Sequence, residues 1–209
     1  MPRCTTPTGS PPSTSTESGR QIIEPATFEP ASAERTDVTD LPDPDPDPSP
    51  LEGLRIREAA RALIIDPDDR VLLVRFEFPA GTRWALPGGG RKPGETPVET
   101  IRRELIEEVG LRGVEVGPHI WTRLHVIAFI DGRWDGQREQ IHLVRAPRFE
   151  PAPVFTAEEL AAEFVFEIRW WTLAEIRASE AVFVPRALGE YLGAILDGHV
   201  PNAPIDIDV

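Results

Sequence analysis

Residues Gly88–Leu111 read GGGRKPGETPVETIRRELIEEVGL: a glycine triplet, a short polar link and an acidic amphipathic segment. Thr96, Pro97 and Glu99 agree on a helix start. Thr96 suits the N-cap, Pro97 the first helical position, and Glu99 closes a capping box back to Thr96. Gly110 suits the left-handed residue that ends a helix, so the spacing predicts a helix running to Val109. With Glu104 set at 0° on a 3.6-residue helix, Glu107 falls at about 300° and Glu108 at about 40°. Three carboxylates thus share one face. Val98, Ile101, Leu105 and Val109 fall between about 60° and 140°, a stripe that docks on a sheet. Like charges at these spacings repel and raise each other's pKa unless a cation sits among them. Hard divalent cations choose carboxylate oxygens and bridge them to phosphates. A Glu-rich helix face alone is ordinarily solvated surface. The upstream Pro87–Gly90 segment, read as a loop whose free backbone groups can approach a metal or phosphate, shifts that reading.

Outward from this stretch, Ala59–Ile65 and Val71–Phe78 flank the turn signal Asp66-Pro67-Asp68-Asp69 and read as an antiparallel hairpin. Trp84-Ala85-Leu86 is a short apolar segment. Downstream, Val114–Val116, Trp121–Ile130, Gln140–Ala146 and Phe166–Thr172 read as strands, with a turn at Asp131-Gly132. Thr156 and Glu159 repeat the capping-box pattern before a short helix, and Arg186–Leu196 reads as a closing amphipathic helix. Without regular β-α-β alternation, these elements point to a mixed-sheet α/β sandwich or an α+β fold.

Residues 1–50 have a different composition. They hold 11 of the 23 prolines, the run Asp43-Pro44-Asp45-Pro46-Asp47-Pro48, and 9 acids against 3 arginines. Ordering such a segment costs roughly 1–2 kcal/mol per residue in backbone entropy with little apolar surface to offset it. A disordered tail is expected over 1–50, a single domain over 51–200 and a C-terminal tail over 201–209. The net charge of −13 argues against a surface that coats nucleic-acid phosphates. The sole cysteine, Cys4, precludes a disulfide framework in the domain. There is no 18-residue apolar run, signal-peptide core or lipidation motif, so the expectation is a cytoplasmic protein with no membrane partner.

Gly89, Glu95, Arg103, Glu104, Leu105, Glu107, Glu108, Gly110 and Leu111 match G-x5-E-x7-R-E-U-x-E-E-x-G-U, where U is a bulky aliphatic residue. That pattern is the Nudix box, and every fixed position is filled. The chain therefore resembles Nudix hydrolases over roughly residues 55–197. Trp84–Pro87 and Arg169–Leu173 look like flanking segments common in the family. The resemblance implies a Nudix-like α/β/α sandwich with a mixed central sheet. It also implies metal-dependent hydrolysis of a diphosphate linkage in a nucleoside diphosphate derivative: a (d)NTP, ADP-ribose, a dinucleoside polyphosphate or similar.

Carried onto matching positions, the resemblance gives Mg²⁺ or Mn²⁺ bound by Glu104, Glu107 and Glu108, with the Gly88 carbonyl joining them. Arg103 would orient a catalytic carboxylate, and Glu104 is favoured as general base or metal ligand. Glu104, Glu107 and Arg103 are thus the expected catalytic set. Gly89, Glu95 and Gly110 would hold the loop-helix-loop shape. Glu139 resembles the downstream acid that completes the metal shell in many members, although a solvent-facing strand-end charge is an equal reading. Lys92 stands where many members carry an acid; it cannot ligate a metal but can meet a phosphate. Trp84, with Phe76 and Phe78, is available to line a base pocket. Of the adjacent Trp170 and Trp171, one is expected in the core and the other, taken as Trp171, against a base. His119, His125 and His142 are read as structural. The resemblance admits a homodimer and a nucleotide-type small-molecule substrate. A non-catalytic nucleotide-sensing Nudix-like module is the alternative, weakened by the intact box acids. An isoprenoid diphosphate isomerase on the same scaffold would need a cysteine within the domain.

Overall fold

The expected hairpin around Asp66 is present and forms the middle of a mixed nine-stranded sheet in a computed structural model that describes residues 51–127, 129 and 132–207. In chain order the elements are β1 (Ile56–Ile65), β2 (Arg70–Phe78), β3 (Gly81–Ala85), β4 (Gly88–Gly90), α1 (Pro97–Val109), β5 (His119–His125), β6 (Gly136–Arg145), α2 (Ala157–Ala162), β7 (Val165–Thr172), α3 (Leu173–Ala178), β8 (Phe183–Val184), α4 (Leu188–Leu196) and β9 (Ile205–Ile207). The strand order is β8-β3-β2-β1-β6-β5-β9, with β4 added to β1 and β7 to β2. β1 and β6 run parallel over their full lengths, from Ile56↔Gly136 to Ile65↔Arg145.

Alternation along β1 separates two cores. Leu63 and Ile65 join Trp84, Trp121, Trp171, Leu188 and Ile195 on one side of the sheet. Ala60, Ala62 and Ile64 join Ile101, Leu105, Val109 and Trp170 on the other. The first core is covered by α3 and α4, the second by α1, which yields the α/β/α layering. Of the stripe expected on α1, Ile101, Leu105 and Val109 are fully enclosed and Val98 is half-buried; Thr100, Glu104 and Glu108 are buried beside them. Thr96 accepts from the Glu99 amide, Glu99 reaches back to the Thr96 amide, and Gly110 closes the helix at φ 77°.

Several boundaries differ from the sequence reading. Gly88–Gly90 is a strand, antiparallel to β1 with Ala60↔Gly89 and Arg61↔Gly88 in register. Glycine's weak strand preference is overridden because β1 supplies the ladder, and β1 at Gly88 and Gly90 and Glu104 at Gly89 leave no room for side chains. At Gly88, whose φ is 130°, a Cβ would collide with the Ala60 carbonyl. Val114–Val116 forms no strand; Val114 and Val116 are partly buried against the α1-side core without a ladder partner. β5 begins at His119 and ends at His125, leaving Val126 and Ile127 exposed. Helix α3 was not anticipated, although Thr172 and Glu175 form a third capping box. Ile205–Ile207, placed in a tail by sequence, pairs in parallel with β5, and Ile207 is buried. Residues 1–50, where a disordered tail was expected, and the Asp131 side of the expected turn lie outside the described residues. No described helix is long and apolar enough to cross a membrane.

Candidate functional site

Helix α1 presents its acids to the glycine strand β4, and packing sets how closely. Glu104 and Glu108 are 5% and 2% exposed, so two of the three glutamates expected to bind metal lie beneath the surface. Glu108 Oε2 accepts from the Gly88 amide at 2.8 Å. A Cβ on Gly89 would stand 2.6 Å from Glu104 Oε1, so the glycine lets the carboxylate lie against the strand. Glu107 sits one turn along, at the surface, with its carboxylate 4.0 Å from the exposed Lys92 Nζ.

Arg103 organises the outer half of this cluster. Its Nη1 donates to Glu104 at 2.7 Å and to Glu107 at 2.9 Å; its Nε donates to Glu95 at 2.7 Å and its Nη2 to the Gly90 carbonyl at 3.1 Å. One guanidinium therefore ties three box acids to the end of β4. Glu95 is held at about 2, chiefly by its hydrogen bond from Arg103. Its Oε2 also accepts from the Lys92 amide and the Thr100 hydroxyl, fixing the link before the helix. Glu95, expected from the resemblance to hold the loop-helix-loop shape, and Arg103, expected to orient a catalytic carboxylate, are thus joined to each other and to the end of β4.

Behind the cluster the electrostatics reverse. Burial, then the neighbouring Glu104, pushes the Glu108 carboxyl up to about 8, against the Gly88 amide and Arg61, which favour ionisation. Burial likewise raises Glu104, with Arg103 opposing. Two buried acids with this little compensation hold a proton in place of the charge, or take a cation as partner when one is bound. Hard carboxylate oxygens beside the free lone pair of a strand carbonyl are the donor set that Mg²⁺ or Mn²⁺ takes. The described residues contain no ready-made cluster of three His, Cys, Asp or Glu groups converged on one point. Arg103 engages Glu104 and Glu107 while Glu108 is turned to the Gly88 amide, so convergence requires Glu104 and Glu107 to rotate away from Arg103.

Glu139, on β6, is not at the surface. It is 2% exposed, and its carboxylate accepts from Arg61 at 2.5 Å, Gln137 at 2.7 Å and Arg123 at 2.8 Å. Burial opposes its ionisation, but Arg61 and Arg123 outweigh burial and hold it at about 2. The solvent-facing reading is therefore excluded. Arg61 also donates to the carbonyls of Leu86 at 2.8 Å and Gly88 at 2.9 Å. Sequence reasoning missed Arg61; the signal available was a lone charge between the small and branched residues of β1.

Arg57, also on β1, was missed as well. Its guanidinium lies over the Phe129 ring, 5.7 Å from the centroid, and against Gly90, where any Cβ would run into it. It donates to Gln137 Oε1 at 3.1 Å. Burial, then the nearby Arg61, lowers its pKa, with Glu104 opposing.

The aromatic assignments need correction. Trp84 and Trp171 are 6% and 5% exposed and pack edge to face at 4.9 Å in the core on the α4 side, with Phe183 against Trp171. Neither is available to stack on a base. Trp170 faces the α1-side core, so both members of the pair are interior, on opposite faces as strand alternation requires. Phe78 stacks on Phe76 and packs against Phe164. His119 and His142 stack on each other at 5.2 Å and bond to the Trp121 and Gly117 carbonyls, as expected of structural histidines.

The family model of the NUDIX domain matches residues 55–190. An RNA pyrophosphohydrolase of Helicobacter pylori (strain G27) is 34% identical over 101 residues, covering 44% of this chain and 64% of that protein. The chain thus spans less than two thirds of that relative's length. A NUDIX hydrolase from Nitrosomonas europaea superposes with a TM-score of 0.53 at 21% identity, covering 70% of this chain and 92% of that one. The NUDIX domain of Shewanella oneidensis NrtR, solved with ADP ribose, gives 0.51 at 19% identity over 71% and 93%. At these identities the two structures speak for the fold.

Proposed function

Because the chain belongs to the Nudix family, we propose that it hydrolyses a diphosphate linkage in a nucleoside diphosphate derivative, using Mg²⁺ or Mn²⁺ held by Glu104, Glu107, Glu108 and the Gly88 carbonyl. The observation that carries this reading is the buried Glu104–Glu108 pair lying on a glycine strand, with Glu108 pushed up to about 8 by burial and then by the neighbouring Glu104. When bound, the cation neutralises charge on the phosphoryl oxygens and acidifies water.

The chain's own residues do the rest. Arg103, which bridges Glu104 and Glu107 before metal binds, stays tied to Glu95 and the Gly90 carbonyl beside them when they turn to the metal. Glu104, whose carboxyl burial raises above its usual range, suits the general base: it takes the proton of the attacking water. The water oxygen bonds to phosphorus, the bridging P–O bond breaks, and the leaving group departs as a phosphate or nucleotide. Lys92, beside Glu107, and Arg57, beside Gly90, receive the substrate's phosphate oxygens. A (d)NTP, ADP-ribose or a dinucleoside polyphosphate all present such a group.

The test is a panel of these compounds, with a short RNA bearing a 5′-triphosphate, assayed for released phosphate or nucleotide under Mg²⁺ and Mn²⁺. Turnover of at least one member that falls by two orders of magnitude or more in Glu107→Gln and Glu108→Gln supports the reading. Tight binding of a member without turnover would replace it with a sensing role.

A further inference from the structure

Arg61 stands between two groups that a metal ion would otherwise join. Its Nε donates to Glu139 Oε1 at 2.5 Å and its Nη1 to the Gly88 carbonyl at 2.9 Å. Gln137 donates to the same Oε1 at 2.7 Å, and Arg123 donates to Oε2 at 2.8 Å. The pair is enclosed: the Arg61, Arg123 and Glu139 side chains are 14%, 5% and 2% exposed.

Resting on the metal-dependent reading above, we infer that Arg61 is a resident cation. It occupies the place between Glu139 and the Gly88 carbonyl, and divalent metal is confined to the acids of α1. Glu139 is then a positioning residue. Through Arg61 it fixes the Leu86 and Gly88 carbonyls, and with them the start of the glycine strand that faces Glu108. Turning Glu139 toward a metal would leave two buried guanidiniums without their carboxylate, a rearrangement strongly opposed by desolvation. Turning Glu104 and Glu107 toward one releases only Arg103, which keeps Glu95. The Gly88 carbonyl has two lone pairs, so Arg61 on one leaves the other for a metal held by α1.

Mn²⁺ binding to the full chain, followed by the loss of the free-ion EPR signal, separates the alternatives. Glu139→Gln should leave the number of bound Mn²⁺ ions unchanged and raise the Kd only a few-fold, through a less firmly held Gly88 carbonyl, whereas Glu108→Gln should weaken binding tenfold or more. Arg61→Met should gain one Mn²⁺, and the gain should vanish when Glu139→Gln is added, an effect that lost packing alone would not produce. Should these variants fail to fold, the wild type decides through its Arg61 Nε–H NMR signal, assigned with Arg61→Lys. That signal should be protected from solvent exchange in EDTA and stay so at saturating Mg²⁺. A tenfold loss of Mn²⁺ affinity in Glu139→Gln, no gain in a folded Arg61→Met, or loss of the protected signal on adding Mg²⁺ would overturn the inference alone. A wild type that binds no Mn²⁺ refutes the metal reading and this inference with it.

Discussion

Replacing Glu108 by Gln should make the metal-free protein more stable at pH 8 while removing its response to metal. In the folded chain Glu108 is 2% exposed, and burial beside Glu104 raises its carboxyl from 4.5 to about 8. Between those values the folded state keeps a proton that the unfolded chain has released, so stability falls as pH rises from about 4.5 to about 8. At about 1.4 kcal/mol per pH unit, the gap sets a ceiling on the order of 5 kcal/mol. The coupling to Glu104 is shared with Arg103, which lowers the share that Glu108 alone carries. A glutamine amide oxygen can still accept the Gly88 N–H, so the hydrogen bond is kept while the charge is lost. A net gain of about 2 kcal/mol at pH 8 follows, equivalent to about 4–8 °C in Tm for a domain of this size, with little difference at pH 4.5. Mg²⁺ at a hundred times its Kd should stabilise the wild type by about 2.7 kcal/mol and the variant far less. Thermal melts of both proteins at pH 4.5, 6.5 and 8, in EDTA and in Mg²⁺, give all four numbers. A variant less stable than wild type in EDTA at pH 8, or one with an undiminished Mg²⁺ shift, would refute the reasoning.

Other perturbations separate the roles of the surrounding residues. Glu139→Gln should cost about 3–5 kcal/mol at pH 7, because it strands two buried guanidiniums; denaturant melts read this directly. The stability that wild-type Glu139 contributes is full above about pH 4.5 and is lost as pH falls through about 2, so the variant's acid limb should be flatter in that window. Arg57→Gln should raise KM about tenfold with kcat within about twofold, since it removes a contact shared by bound substrate and transition state; a fall in kcat at constant KM would place Arg57 elsewhere. Trp171→Phe should lower stability by about 1–3 kcal/mol and leave KM unchanged, as a core residue predicts and a base-stacking residue does not.

How much of this could be read from the sequence depended on whether a signal was local. The α1 boundaries, its cap, its buried stripe and the shared face of its acids rest on contacts within about four residues, and all were legible. The layered architecture followed from the box and the lack of β-α-β alternation. The glycine strand was not legible, because it exists only where β1 offers a ladder and no room for a Cβ. Val114 and Val116 misled in the opposite sense, since apolar residues fill a core whether or not a neighbour supplies hydrogen bonds. Helix α3 carried a readable capping box at Thr172 and Glu175. The meaning of Arg61 and Arg57 depends on Glu139, Gly88 and Gln137, some 25 to 80 positions away, so neither could be read from β1 alone. Trp84 and Trp171 needed burial, which spacing does not give.

The central claim is that the α1 acids support attack of water on phosphorus in a diphosphate linkage. It is tested most directly by running the reaction of a panel substrate in ¹⁸O-water with Mg²⁺ and locating the label by ³¹P NMR. The account predicts one ¹⁸O bound to phosphorus in one of the two products, and no labelled product with Glu108→Gln. Unlabelled phosphorus in both products, or equal labelling rates in the wild type and Glu108→Gln, would contradict it.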